Sequence, residues 1–481
     1  MEDRRDSVDS DDSLGALLEA ELEAALAGDG SAEGEEDGTA SDAPAAKRAR
    51  VGGAAAPPGG AAAAVCPPHP GFMGGICIRC GALKDEAEEQ GVALSYIHRG
   101  LEVSKHEAER VRQGTADRLL AGRKLLLILD LDHTLLNSSR FIEVPPESEA
   151  ILRGQLDAQP DDARMLYHLP HMRMWTKLRP GVRQFLEAAR ERFELHVYTM
   201  GDRDYAAEMA KLLDPDGRLF HGRVISAGDS TQRSVKDLDV VLGRERTVLI
   251  LDDTEGVWPR HRDNLVQIER YIYFPADAGR FGFRGQSLLE RRVDEKEGEG
   301  ALSTCLKVMS DVQQRFFEHT DPGAADVRPL LRAARQAVLA GVCVLFSRVV
   351  PLDCKDPSVH PLWQLALKLG ARCTTGQDED VTHVVATDVT DKTRWARSQG
   401  KFVVAPNWLW CSAYTWKRAD ESEFPVRPGG SAAAAQAAAP RSEAEDVAQA
   451  LAAAGGGEGA EEQQQQQQPA AAAAAEPAAP S

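Results

Sequence analysis

The chain predicts an open α/β layer, a parallel sheet covered by helices on both faces, followed by a second, smaller α/β unit and flanked by tails of biased composition. Three observations carry this expectation. The stretches KLLLILDLD (124–132) and RTVLILDDT (246–254) are continuous apolar runs, not alternating ones, as strands buried on both faces should be. Amphipathic helical patterns separate them from their neighbours, and parallel strands need such crossovers. A second alternation of shorter elements starts near residue 338 and spans only about 90 residues, the size of a small separate domain.

The tails come first. Residues 1–64 are dominated by Asp, Glu, Gly, Ala and Pro, and 426–481 by Ala, Gly and a glutamine tract. Neither has the large apolar side chains that offset chain entropy, so both are expected to be disordered. Within the first tail, SLGALLEAELEAAL (13–26) sets Leu14, Leu17, Leu18, Leu22 and Leu26 at helical spacing. It reads either as an acidic amphipathic helix awaiting a partner's groove or as a transient helix with none. Lys47, Arg48 and Arg50 form a basic cluster that an import receptor could read, or one that only solubilises the tail.

The net charge of −19 over 481 residues argues against a duplex-binding protein, although a local basic face around RMWTKLRPGVR (173–183) would be hidden in that total. No apolar run approaches the ~20 residues of a membrane-spanning helix. The acidic start does not resemble a secretory leader. The 8 Cys lack the density and spacing of a disulfide framework. A soluble intracellular protein, with no membrane or direct nucleic-acid partner, is the expectation.

Residues 65–120 hold a Cys/His motif and a helical connector. CPPHPGFMGGICIRCG places Cys66, His69, Cys77 and Cys80 as C-x2-H-x7-C-x2-C, two ligand pairs that could close a structural Zn²⁺ site. Reduced, unliganded thiols are the competing reading. The stretch 95–120 then reads as one helical connector.

Residues 121–320 carry the main layer. After the first strand, PGVRQFLEAARERF (180–193) reads as a helix with Pro180 in its first turn, ELHVYTMGD (194–202) as a strand and DRDYAAEMAKLLD (202–214) as a helix. GRVIS (222–226) reads as a short strand, SVKDLDVVLG (234–243) as a helix and RTVLILDDT as the last buried strand. The stretch VDEKEGEGALSTCLKVMSDVQQRFFEHTD (293–321) reads as a polar loop and then an amphipathic helix, and the second unit, 335–425, alternates shorter elements through AVLAGVCVLFSRVV, PLWQLALKLGA, THVVAT, KTRWARSQG, KFVVAPNW and WLWCSAYTWKRA.

Ligands of open α/β sheets bind beyond the carboxyl ends of the strands. The first strand delivers Asp130 and Asp132 there, the strand at 248–252 delivers Asp252 and Asp253, ELHVYT ends in Thr199, and Lys236 precedes the last pair. One aspartate after a strand is an ordinary turn residue. Two pairs at the ends of two buried strands concentrate like charge that a cation must relieve, and all-oxygen ligands favour Mg²⁺. A carboxylate beside such an ion can attack phosphorus, and a second one two residues on can move the proton. Thr199 and Lys236 suit the phosphoryl oxygens. Neither a P-loop nor a G-x-G-x-x-G pattern is present, which disfavours a nucleotide-dependent enzyme.

LDLDHTLL, VYTMG, SVKDL and ILDDTEGVWP, in that order, resemble the four motifs of the haloacid dehalogenase superfamily. With YHLPHMRMWTKLRPGVRQFL and the upstream Cys/His segment, they resemble more narrowly the phosphatases of the RNA polymerase II C-terminal domain, of the type that associates with transcription factor IIF. The resemblance implies a nuclear, Mg²⁺-dependent protein serine phosphatase that regulates transcription by dephosphorylating the polymerase heptad repeats through an aspartyl phosphate. Asp130 would be the nucleophile and Asp132 the general acid/base. Asp130, the Asp132 carbonyl and Asp253 would hold Mg²⁺ with Asp252 adjacent. Thr199, Lys236 and Arg179 would contact phosphate. Thr134 would brace the loop and His133 would line the substrate slot. Only about 40 residues separate the first strand from the next helix, too few for a closing lid domain, so the site is expected to admit an extended peptide.

The second unit resembles a BRCT domain. In phosphopeptide-binding members a strand-end hydroxyl and a helix lysine hold phosphate, positions that Ser347 and Lys392 occupy, but Arg348 stands where a glycine commonly follows, and the competing reading is a pairing surface that binds without phosphate, with Trp408 as core. The competing expectations are a phosphopeptide-binding scaffold with a vestigial phosphatase fold and a receiver-like phosphoacceptor. The second carboxylate at Asp132 disfavours the latter, because it would hydrolyse a signalling phosphate.

Overall fold

The computed structural model describes residues 66–428 apart from 67, 86–90, 161–162, 233, 282–285 and 352–353. Residues 1–65, with the leucine stretch at 13–26 and the basic cluster at 47–50, and residues 429–481 lie outside the described residues, whereas Val426, expected in the tail, is buried. The chain divides into two compact units, Met1–Val111 and Arg112–Ser481.

The described part of the first unit is a small antiparallel sheet of β1 (Gly71–Met73), β2 (Ile76–Cys77), β3 (Val92–Ala93) and β4 (Leu101–Val103), in the order β2-β1-β4-β3. The stretch expected to be one helix from residue 95 therefore starts as a turn followed by β4. Gly100, at φ +81°, ends a turn that feeds β4. Helix α1 (Lys105–Ala121) begins only after Ser104, whose hydroxyl accepts from Glu107 N at 3.2 Å, a cap three residues ahead of a glutamate.

The second unit is built on β5 (Leu125–Leu129), which is fully buried along its length. Next come β6 (Leu136–Arg140), α2 (Pro146–Ala158), β7 (Leu166–Leu169) and β8 (Met174–Leu178). The segment after β5 is thus a three-stranded antiparallel sheet, β6-β8-β7, with one helix inserted. Helix α3 (Val182–Arg190) follows, with Gly181 at φ +77° as its N-cap, so Pro180 precedes the first turn instead of occupying it. Then come β9 (Phe193–Tyr198), α4 (Arg203–Leu213), β10 (Val224–Ile225), β11 (Val248–Asp252) and β12 (Leu265–Gln267).

β10-β9-β5-β11-β12 form a five-stranded sheet in which every pairing is parallel. One face buries Leu125, Leu127 and Leu129 against Val182, Phe185, Leu186 and Ala189 of α3, the i, i+3, i+4, i+7 stripe its sequence shows. After the short helices α5 (Pro275–Arg280) and α6 (Leu288–Arg291), helix α7 (Ala301–Glu318) adds Cys305, Met309, Val312 and Phe316 to the same core.

The segment 234–243, expected as a helix, holds only a 3-10 turn at Leu238–Val240. Asp237 explains it. Its carboxylate accepts from Asp239 N at 3.1 Å and also meets Arg260 and His261, a local alternative to helical bonding.

Helix α8 (Val327–Gln336) leads into the C-terminal α/β part: β13 (Cys343–Ser347), α9 (Pro361–Lys368), β14 (Arg372–Thr374), β15 (His383–Ala386), α10 (Asp391–Ser398), β16 (Phe402–Val404) and α11 (Asn407–Thr415). Its four strands are all parallel, in the order β14-β13-β15-β16. Trp408 is wholly buried and donates through Nε1 to Ala419 O at 2.9 Å, which makes it core.

Candidate active site

β5 and β11 are hydrogen-bonded neighbours, with Leu126 opposite Val248 and Leu129 opposite Leu251. Both must therefore end at the same edge, and Asp130 N still donates to Leu251 O at 3.0 Å as the strands give out. This register brings Asp130, Asp252 and Asp253 together: carboxylate oxygens of all three lie within 4.8 Å of one another.

Lys236 sits between two of them. Its Nζ donates to Asp130 Oδ1 at 2.5 Å and to Asp252 Oδ2 at 2.6 Å, and the rings of Tyr198 and Trp258 lie 5.9 and 5.8 Å from it. Trp258 Nε1 also donates to Asp252 Oδ2 at 2.9 Å, and Thr254 N to Asp252 Oδ1 at 2.8 Å. Asp253 is held by Arg270 and by the Thr254 hydroxyl.

The carboxyl groups of Asp130, Asp252 and Asp253 are removed from water, and their charges compete. Burial, reinforced by Asp252, pushes Asp130 well above the usual carboxylate range despite Lys236. Burial also raises Asp252, where Lys236 only partly opposes it. Asp253 is the exception: burial acts to raise it, but the Arg270 guanidinium and other partners bring it below its ordinary value. Burial alone would depress Lys236, yet its two aspartates hold it above its ordinary value. The cluster thus brings together more carboxyl groups than its two cations can keep ionised. Together with an all-oxygen donor set, that suits a hard divalent cation at Asp130, Asp252 and Asp253.

Asp132 faces a different set of groups. Tyr205 donates its hydroxyl to Asp132 Oδ1 at 2.5 Å, and Thr199 Oγ1 lies 3.5 Å from Oδ2. Burial raises Asp132 above its ordinary value in spite of the tyrosine bond. Tyr205 is aimed by the first turn of α4, where Asp202 caps Tyr205 N at 2.8 Å. It also requires Gly201, since a Cβ there would lie 2.5 Å from the tyrosine ring. The cavity over these groups measures about 300 Å³, with Asp130, Asp132, Lys236, Asp252, Asp253 and Tyr205 in its lining and exposed Arg140 and Arg280 at its rim.

Arg179 is placed differently from the expectation. It is wholly buried, paired with Glu295 at 2.6 Å, and it donates to Thr134 O at 3.1 Å and His133 O at 3.4 Å, so it supports the loop after Asp132 from behind. Arg179 is not among the residues that line the cavity, whereas Arg270, which holds Asp253, is. His133, at φ +61°, does line the cavity, its ring edge-on to Phe281 at 4.8 Å. Thr134 is fully buried, and its hydroxyl has no hydrogen-bond partner among the described residues. Tyr205 and Arg270 carry no motif that marks them in the sequence, and Trp258, though it lies within ILDDTEGVWP, has no role assigned to it there. Each reaches the site through a turn or a long-range contact.

The sequence points to two further groups. In the first unit, ligand atoms of Cys66, His69, Cys77 and Cys80 lie within 4.8 Å of one another, with His69 Nδ1 at 3.2 Å from Cys77 Sγ and 3.5 Å from Cys80 Sγ. All four are arranged around one point, and the cysteines are free thiols. In the C-terminal part, Ser347 Oγ is 2.8 Å from Thr390 Oγ1, and Lys392 Nζ donates to Phe346 O at 3.3 Å, beside Ser347. Arg348 takes φ +54° and turns to Asp388 at 2.9 Å.

A buried aspartate pair at a strand end, with a threonine, a lysine and a second aspartate pair, is equipment for handling phosphate. Residues 125–284 match the family of NLI interacting factor-like phosphatases. The chain is 46% identical over 363 residues to RNA polymerase II C-terminal domain phosphatase-like 4 of Arabidopsis thaliana, covering 74% of this chain and 81% of that protein. It is also 46% identical over 333 residues to phosphatase-like 3 of the same plant, over 67% of this chain but only 27% of that longer protein. Among solved structures, that of Fcp1, an essential RNA polymerase II C-terminal domain phosphatase, is similar with 26% identity and a TM-score of 0.53, over 66% of this chain and 100% of that one. The chain belongs to the RNA polymerase II C-terminal domain phosphatase family.

Tyr205→Phe removes a hydrogen bond to a buried carboxylate, an interaction worth about 1.5–3 kcal/mol. It should lower kcat for an aryl phosphate at least about tenfold while leaving the dependence on divalent cation unchanged. Steady-state kinetics at varied cation concentration check both.

Proposed function

We propose that this chain is a Mg²⁺-dependent protein serine phosphatase acting on the phosphorylated heptad repeats of RNA polymerase II. The observation that carries the reading is the separation of Asp130 and Asp132 into two environments, the first against Lys236 and the second carboxylate pair, the second against Tyr205. Two carboxyl groups with different surroundings can take different duties. The heptad substrate, a nuclear location and contact with transcription factor IIF follow from the relatives' names and the resemblance. The rim arginines and the cavity, which is not enclosed, are compatible with an extended phosphopeptide.

In the first step the Asp130 carboxylate attacks phosphorus, the bond from phosphorus to the serine oxygen breaks, and Asp132 protonates the departing serine. In the second, Asp132 takes a proton from water, the water oxygen attacks phosphorus, and the bond to Asp130 breaks to release inorganic phosphate. A raised Asp132 suits a group that must give a proton near neutral pH and then take one back. The Lys236 ammonium has three donors and spends two on Asp130 and Asp252, leaving one for a phosphoryl oxygen. Thr199 Oγ1, already held by Gly201 N at 3.0 Å, can supply another contact. Arg179 would act at one remove, by fixing the 133–134 loop. Mg²⁺ held by Asp130, Asp253 and the Asp132 carbonyl, with Asp252 beside it, would supply charge neutralisation and keep Asp130 ionised.

The C-terminal part would deliver the enzyme to phosphorylated polymerase, with Ser347 and Lys392 as its phosphate contacts. As a scaffold alone it would leave four convergent carboxylates unexplained.

In the first unit we propose a structural Zn²⁺ held by Cys66, His69, Cys77 and Cys80. The ligand spacings fit a tetrahedral site, and Arg79 N points at Cys77 Sγ at 3.4 Å, a bond that suits a thiolate. The sheet it would staple is small, with few buried apolar side chains such as Phe72, Leu94, Leu101 and Val103. Metal analysis of the full chain purified without chelator should find one zinc per chain. A molar ratio near zero would remove the site.

Phosphate release from a doubly phosphorylated heptad peptide tests the enzymatic reading. Wild type should release phosphate only with Mg²⁺, and Asp130→Asn should lose activity by about 10³-fold or more, as losses of an attacking group do. Equal release by both proteins would dismiss Asp130 as nucleophile, and none by either would favour the scaffold.

A further inference from the structure

The four residues after Thr254 hold the active site from one side. In the 3-10 turn Glu255–Val257, the carbonyl of Val257 accepts from Lys236 N at 2.8 Å, which fixes the backbone that presents the ammonium. The next residue, Trp258, donates to Asp252 and packs its ring edge-on to Tyr198 at 5.5 Å. One short turn therefore sets both members of the Lys236–Asp252 pair. Its first residue, Glu255, points elsewhere: its Oε1 accepts from Lys368 Nζ at 2.5 Å. Lys368 is the last residue of α9, in the C-terminal part of the chain, 113 residues away in sequence.

Lys368 is not a dangling surface side chain. Just after it, Leu369 O accepts from Leu339 N at 2.9 Å. Gly370, at φ +93°, comes so close to the end of α8 that a Cβ would lie 1.9 Å from Gln336 O, a position only glycine can occupy. The same α8 sends Arg335 to Leu265 O at 2.8 Å on β12, the strand beside β11, with its guanidinium 5.4 Å from the Trp416 ring. The end of α9 is thus locked to α8, α8 is tied to the catalytic sheet, and Lys368 reaches from that junction to the catalytic turn. Both side chains are partly shielded, Lys368 at 35% and Glu255 at 24% exposure, so the pair is stronger than a fully solvated one.

We propose that Lys368 is a positioning residue for phosphoryl transfer: docked against the catalytic sheet, the C-terminal domain holds the turn 255–258 through Glu255 and thereby sets Lys236 and Asp252. The proposal rests on the phosphatase reading above. It makes the C-terminal domain a part of the catalytic apparatus, separate from any role in capturing substrate.

The test uses the full chain and para-nitrophenyl phosphate, too small to touch active site and C-terminal domain together. Wild type, Lys368→Met, Lys368→Arg and the double charge reversal Lys368→Glu with Glu255→Lys are compared by kcat, by KM and by backbone hydrogen exchange at residues 236 and 254–258. Lys368→Met should lower kcat about 3- to 10-fold, the range of a partly buried pair acting on a distant site. KM should stay the same, exchange at those amides should speed up, and Lys368→Arg and the charge reversal should restore both. Unchanged exchange in Lys368→Met overturns the proposal, and so does unchanged kcat or a loss that the charge reversal fails to restore. If wild type hydrolyses nothing, the phosphatase reading has failed on its own, and the exchange data alone decide whether Lys368 holds the turn.

Discussion

The Lys236 ammonium, lodged between Asp130 and Asp252 with almost no access to water, is the interaction on which the rest of the structure depends. Burying charge is expensive, and removing one partner of such a group typically costs about 3–5 kcal/mol because the other is left uncompensated. The fold meets that demand from several directions. β5 and β11 place the aspartates, the irregular segment around Lys236 replaces a helix so that the lysine can reach them, and the rings of Tyr198 and Trp258 wall the ammonium in. What the protein cannot supply by itself is enough positive charge. The excess of carboxylate is also what makes the site suited to a hard cation and, with that cation, to an incoming phosphoryl group.

The remaining parts of the site give the two strand-end aspartates distinct surroundings. Asp130 stays among charges, while Asp132 turns to a buried phenol and a threonine. That difference comes from two hydrogen-bonding neighbourhoods two residues apart along an extended segment, with Gly201 giving Tyr205 the room to approach. Arg179 and Glu295 then form a buried prop behind the 133–134 loop, so the substrate-facing wall is held by groups that never face the substrate.

Much of this was legible in the sequence, and the reasons are physical. A strand buried on both faces must be apolar throughout, so LLLIL and VLILD announce themselves, and the polar residues that end them stand out. The convergence of Asp130, Asp252 and Asp253 followed from parallel strands ending at one edge. The α3 stripe was readable for the same reason of periodicity. The departures share a different cause. Asp237 diverts 234–243 from helix through side-chain bonds to residues more than twenty positions on. Arg179 is claimed by Glu295, 116 residues away, and Arg270 enters the cavity from beyond β12. Tyr205 depends on a cap and a glycine whose joint effect is visible only in three dimensions. Local periodicity leaves a mark in sequence, whereas a long-range polar partner does not.

The central claim is that Asp130 and no other residue accepts the phosphoryl group. The most direct measurement is to mix Asp132→Asn with para-nitrophenyl phosphate, whose leaving group needs no proton so that only the second step is slowed, and Mg²⁺, quench rapidly, and reduce with tritiated borohydride, which attacks acyl phosphates. Proteolysis and mass analysis should then place the label at position 130 alone, in an amount that depends on the aryl phosphate. Phosphate release without any labelled carboxyl group, or label at Asp252, Asp253 or another residue, would contradict the account.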